Sequence, residues 1–80
     1  MPVLRLFAAA REAAAESSVR LEGNTVGEVL AAASSRFGKT FVDVLATSRV
    51  WVNGEPAGEG DPVNPDDEVA VLPPVSGGSE

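Results

Sequence analysis

Residues 25–38 limit the fold more than any other stretch, because they read as the single well-formed amphipathic helix of the chain. Thr25-Val26-Gly27-Glu28 has the capping-box pattern. In that pattern the threonine hydroxyl accepts from the amide of residue 28, and the glutamate carboxylate reaches back to the amide at the cap. Apolar residues at Val26, Val29, Leu30, Ala33 and Phe37 then fall on one helical face, and Gly38 supplies a C-terminal stop. Glu28 is accordingly a capping residue first and not a catalytic acid. A helix with one apolar face needs one apolar surface to lie against, and short strands are what the rest of the chain offers.

Those strands read as follows. Val3–Phe7 alternates around Arg5, with Leu4 and Leu6 facing inward. Ala8–Glu16 is rich in strong helix formers and predicts a short helix. Ser17–Glu22 alternates again, Val19 and Leu21 inward, until Gly23-Asn24 breaks it. Thr40–Ser48 brings Phe41, Val42, Val44 and Leu45, enough for a helical turn that closes the core. Arg49–Val52 is a third strand and Asn53-Gly54 a tight turn. Pro56–Pro65 reads as loop with a short edge strand near Ala57, and Glu68–Leu72 is the last strand. The plan is α+β: a mixed sheet with one main helix packed on one face. The first and last strands then lie side by side in parallel through a right-handed helix crossover.

One covered face decides where each side chain goes. Val50, Val52, Val69 and Val71 turn toward the helix, so Trp51, Ala70 and Leu72 turn away. With the third and last strands as neighbours, Trp51 and Leu72 share the uncovered face, and such a patch marks a protein interface. The competing expectation is that the neighbouring loop buries Trp51.

The sequence has 80 residues, room for one domain, and neither an internal repeat nor a second boundary is visible. It contains no Cys and no His, which removes thiolate chemistry and the commonest general base. Catalysis by this chain alone is not expected, and neither is a metal or cofactor of its own. Net charge is −6 with six scattered basic residues, a poor match to nucleic acid; an acidic chain suits a partner with a basic groove. The expectation is a cytoplasmic protein without a membrane span, since neither a long apolar stretch nor a signal-peptide pattern is visible.

The end of the chain is distinctive. The last strand runs into Pro73-Pro74, then Val75-Ser76-Gly77-Gly78 and Ser79-Glu80. Prolines lack an N–H and stop a sheet ladder. Glycines lack a Cβ, so a tail made of them can thread a channel too narrow for other residues. From Pro74 to Gly78 the extended chain reaches roughly 13 Å. This divides the chain into a domain over 1–75 and a tail over 76–80. The plain alternative for the tail is a frayed terminus.

Leu6-Phe7-Ala8 with Arg11-Glu12, the helix begun at Thr25, Val52-Asn53-Gly54, Asp66–Ala70 and Pro73–Gly78 together resemble the small subunit of molybdopterin synthase, MoaD, in the MoaD/ThiS family of sulfur carriers. The resemblance runs over residues 2–78. It implies a β-grasp, ubiquitin-like fold. It also implies that the carboxylate of Gly78, behind the slim Gly77, is adenylated by an activating enzyme using ATP and magnesium and then converted to a thiocarboxylate. The large synthase subunit would bind the tail and pass the sulfur to a pterin precursor. On this reading Trp51, Leu72, Pro73, Pro74, Val75 and Ser76 face the partners.

One departure stands out: Ser79 follows Gly78, which leaves Gly78 in an amide rather than a free carboxylate. Ser79-Glu80 reads as an extension that a metalloprotease removes, a remnant left by cloning, or the mark of a chain no longer used as a carrier. Other destinations for the sulfur are cysteine, thiamine or thionucleotide synthesis. A ubiquitin-like protein modifier and a plain interaction module are the competing functions.

Overall fold

The computed structural model describes residues 1–74. Its elements are β1 (Val3–Leu6), α1 (Ala8–Ala14), β2 (Ser18–Arg20), α2 (Val26–Phe37), α3 (Lys39–Leu45), β3 (Arg49–Val52), β4 (Glu55–Pro56) and β5 (Glu68–Leu72). Five strands make one mixed sheet in the order β2-β1-β5-β3-β4. β1 and β5 are parallel at its centre, Leu4 opposite Val69 and Leu6 opposite Val71. β3 runs antiparallel to β5 on the far side, with Val50 opposite Val71 and Trp51 opposite Ala70. This is the expected α+β, β-grasp arrangement.

The core follows the period-two alternation of the strands and the one-sided α2 helix. Leu4, Leu6, Val69 and Val71 are buried against Val26, Val29, Leu30 and Ala33, and Phe41 of α3 closes the layer. Val50 and Val52 pack on this cluster, as their alternation requires. Among the described residues no polar or charged side chain is buried, so the core is held by apolar contact.

Several boundaries differ from the sequence-based expectation. The first strand stops at Leu6, and Phe7 becomes the cap of α1. α1 ends at Ala14, with Ala15 left-handed at φ 62° and its N–H donated to the Arg11 carbonyl. β2 is shorter than Ser17–Glu22: the Leu21 N–H still bonds the carbonyl of Pro2 opposite it at 3.1 Å, but Pro2 has no N–H to return the bond, and the ladder ends there with Leu21 buried in the core. Thr25 caps α2 through its hydroxyl at 3.2 Å from the Glu28 N–H. The Glu28 carboxylate, however, accepts from the amide of Asn24, one residue before the cap. The helical turn is a seven-residue helix beginning at Lys39, and Val42 is 40% exposed instead of closing the core.

The edge strand is Glu55–Pro56, ahead of the position expected near Ala57. The reason is the turn: Asn53 at φ 52° and Gly54 at φ 85° are both left-handed, as a two-residue type I′ hairpin requires. That turn sets Glu55 opposite Val52 and Pro56 opposite Trp51. Pro56 brings no N–H to an outermost strand, which blunts the edge toward further pairing.

Asn53 also ties the hairpin to the approach to β5. Its side-chain amide donates to Asp67 Oδ1 at 2.9 Å and its carbonyl accepts from the Glu68 N–H at 3.0 Å. The Asn64 N–H donates to Asp67 Oδ2 at 2.8 Å. That backbone hydrogen bond, then the Asn53 side chain, holds the Asp67 carboxyl below its usual value. A depressed carboxyl pKa adds stability above the unfolded value, and this is lost as pH falls through the folded one. Asp67→Asn should therefore melt below the parent at neutral pH, with the gap closing in strong acid. Parallel melting curves across pH check this; a gap that persists in acid would show that charge is not the cause.

Candidate functional site

The uncovered sheet face and the point where the chain leaves β5 form the candidate site. Register fixes its members. Arg5, Ala70, Trp51 and Pro56 lie in one row across β1, β5, β3 and β4, and Leu72 sits opposite Arg49 at the end of β5. The pleat sends these residues to the side opposite Leu4, Val69 and Val71. Arg5 bonds Glu68 on the same face at 3.0 Å, with both side chains about half exposed, so the pair adds little stability.

Trp51 is half-buried, and it is absent from the residues packed on the core. The loop therefore neither covers it fully nor leaves it open. Leu72 is 37% exposed. Pro73 is half-buried and Pro74 exposed, so β5 gives way to a segment without N–H donors where Leu72 and Arg49 stand together. Val75, Ser76, Gly77 and Gly78 lie outside the described residues, as does the boundary expected between 75 and 76.

Two neighbours of this root were missed by sequence reading. Phe7 is 41% exposed, and its extended backbone (φ −126°, ψ 152°) continues the pleat of β1, which places its ring on the Arg5 side. The signal was available, since Phe7 follows inward Leu6 by one step. Arg49 is the other. It is exposed, and among the described residues no carboxylate lies within ion-pair distance of it.

The rest of the described surface offers less. A cleft of about 570 Å³ opens beside β3, lined by Val26, Leu30, Val42, Leu45 and Val50 together with Arg49, Trp51, Pro56 and Glu59. Asp67, whose carboxyl is depressed, lies at the opposite end of β5 from the tail. Among the described residues no cluster of three acidic, His or Cys side chains could hold a metal, and no helix is long and apolar enough to cross a membrane. What the described residues offer is an open sheet face that ends at the Pro73-Pro74 exit.

Comparison with known proteins agrees in fold. A model described as the ThiS family matches residues 4–78. The small archaeal modifier protein SAMP1 from Haloferax volcanii is similar at 32% identity and a TM-score of 0.86, over 96% of this chain and 98% of that one. A chain of the Amycolatopsis orientalis BexX/CysO complex is similar at 25% identity and a TM-score of 0.82, over 98% and 100% of the two chains. A putative molybdopterin converting factor subunit 1 from Pyrococcus furiosus shares the fold, with a TM-score of 0.80 at 22% identity over 92% and 97%. No curated protein sequence matches the chain.

Proposed function

The chain belongs to the ThiS family, and on that premise we propose that it carries sulfur as a thiocarboxylate on Gly78. The observation that carries this reading is the joining of an open sheet face, at Leu72, to a proline exit that precedes Gly77-Gly78. The Gly78–Ser79 peptide bond is hydrolysed first, water supplying the second carboxylate oxygen; a metalloprotease is the agent the family resemblance suggests. An activating enzyme then lets the Gly78 carboxylate attack the α-phosphorus of ATP, with magnesium on the phosphates and pyrophosphate leaving. Hydrosulfide, the sulfide-level donor, attacks the acyl carbon, AMP leaves with the C–O bonding pair, and loss of the S–H proton gives the thiocarboxylate. ATP and magnesium belong to the enzyme. This chain supplies a carboxylate, a narrow tail and a docking face made by Trp51, Leu72 and the residues at the tail root.

We place the pterin precursor of the molybdenum cofactor first among acceptors, with a large synthase subunit as partner, on Leu6-Phe7-Ala8, Arg11-Glu12 and the Pro73–Gly78 run. Sulfur delivery to cysteine, thiamine or thionucleotide synthesis uses the same activated tail. Likeness to SAMP1 favours a second reading, a modifier whose Gly78 is joined to lysines of other proteins. Intact-mass measurement of the native protein separates the two. A carrier terminates at Gly78 and gains the mass of one oxygen replaced by sulfur. A ladder of heavier covalent conjugates without that species means a modifier.

A further inference from the structure

β4 covers only part of β3, and the rest of that edge opens on the cleft beside it. β4 ends at Pro56, and after Ala57 the chain turns away through Gly58 and Glu59 to the start of α2, where the Glu59 carbonyl takes the Gly27 N–H. Peptide planes fix where the bare groups of β3 point. Asn53 gives its N–H to the Glu68 carbonyl at 2.9 Å, which sets the phase of the β3–β5 ladder: Arg49 and Trp51 bond toward β5. In a planar trans peptide the carbonyl and the N–H oppose each other, so the Ser48 carbonyl and the Val50 N–H point away from β5. The Val50 carbonyl agrees, since it accepts from the Ala57 N–H at 3.0 Å on that side. Among the described residues neither the Ser48 carbonyl nor the Val50 N–H has a hydrogen-bond partner.

An open acceptor and an open donor on either side of one residue are what a strand edge offers to another strand. Space for it lies beside them: the cleft holds about 570 Å³, and at Gly58 on its loop wall a Cβ would meet nothing within 4 Å. A residue laid opposite Arg49 keeps its side chain on the Arg49 face, and its two neighbours turn to the helix side. There Leu30, Val42, Leu45 and Val50 line the cleft, Val42 with its side chain exposed. The rim carries charge of both signs, Arg49 on the strand wall and Glu59 on the loop wall, and among the described residues neither is in an ion pair. A partner of one sign would be drawn by one and repelled by the other. A segment with an acidic residue between two apolar ones, and a basic residue after them, answers both.

We propose that this cleft is a strand-addition site for an extended segment of another protein with the pattern apolar–acidic–apolar–basic, held by the Ser48 carbonyl and the Val50 N–H. The site stands on the outer edge of β3 and is independent of the tail and of the carrier reading. The test is a titration of the full chain with the peptide acetyl-Gly-Val-Glu-Val-Lys-Gly-amide, followed by amide NMR. At saturation the Val50 N–H should move downfield and exchange at least about threefold more slowly, with further shifts at Val42, Leu45 and Gly58. Replacing both valines of the peptide by serine should weaken binding at least about tenfold, and Val42→Ser in the chain should weaken it about fivefold. The peptide with its Glu and Lys exchanged should bind the parent at least about threefold more weakly, and should bind a chain carrying Arg49→Glu and Glu59→Lys more tightly than the first peptide does. Melting curves of both variants establish that the fold is intact. Binding that leaves the Val50 amide unchanged, shifts confined to Arg5, Ala70 and Leu72, or no shift at about 2 mM peptide each overturn the proposal. Val50 shifts that grow with protein concentration alone assign the edge to a second copy, and a Val50 shift on ending the chain at Pro74 assigns it to the chain's own tail; either result overturns the partner segment. The carrier reading survives all of these outcomes.

Discussion

A chain ending at Gly77 is expected to be adenylated at least about 100-fold more slowly than one ending at Gly78. In the proposed carrier the partner holds the domain by its sheet face, so the tail length sets where the carboxylate arrives. Removing one extended residue pulls it back by roughly 3.3 Å. Reacting atoms need to approach within about 3–3.5 Å, and a displacement of about 1 Å can already cost a factor of 100. A partner that shifted to follow the shortened tail would have to abandon the packing at Trp51 and Leu72. Initial rates of pyrophosphate exchange with the two chains measure the effect. Equal rates would mean that the diglycine is not the reacting end, and the carrier proposal would fall with them.

Phe41→Ala is expected to remove about 3–5 kcal/mol of stability. Phe41 is fully buried in α3, with its ring 5.3 Å from that of Phe37 and tilted 57° to it. It is the largest fully buried side chain among the described residues. An 80-residue domain holds about 4–12 kcal/mol in total at ordinary stability per residue. The loss is therefore of the order of the whole, and the melting temperature should drop by more than about 12 °C. Thermal unfolding followed by circular dichroism checks it. A drop of only a few degrees would mean that α3 is peripheral and that α2 alone covers the sheet.

Phe41 also shows what could be read from the sequence and what could not. Its place in a helical segment that closes the core was legible, because local helix propensity and apolar content agree there. So were α2, whose cap is chemistry within one turn, and the hairpin at Asn53-Gly54, where two left-handed residues are required side by side. Trp51 and Leu72 came out on one face because alternation fixes side-chain direction without knowledge of the fold.

What escaped depends on contacts between distant parts of the chain. α1 is bracketed by alanines, Ala8 at φ 52° and Ala15 at φ 62°, with no glycine to announce either end. Gly23 reads as a strand break, but its role is close approach: a Cβ there would lie 2.7 Å from Val29 Cγ2 and 2.8 Å from the Val29 backbone nitrogen. The second strand ends early because Leu21 meets Pro2, which has no N–H to give the ladder. Arg49 gained meaning only when register set it against Leu72.

The central position of β5 has a mechanical consequence. The strand that leads to the tail is bonded along one edge to β1 and along the other to β3. A pull on the tail acts along β5 and loads both ladders in shear. The hydrogen bonds then share the load instead of opening one after another, as they would if the tail hung from an outermost strand. An enzyme that draws the glycines into a narrow channel, and later lets them go, tugs on the most firmly moored strand of the sheet. In the proposed carrier the domain is a handle that can be pulled without unravelling.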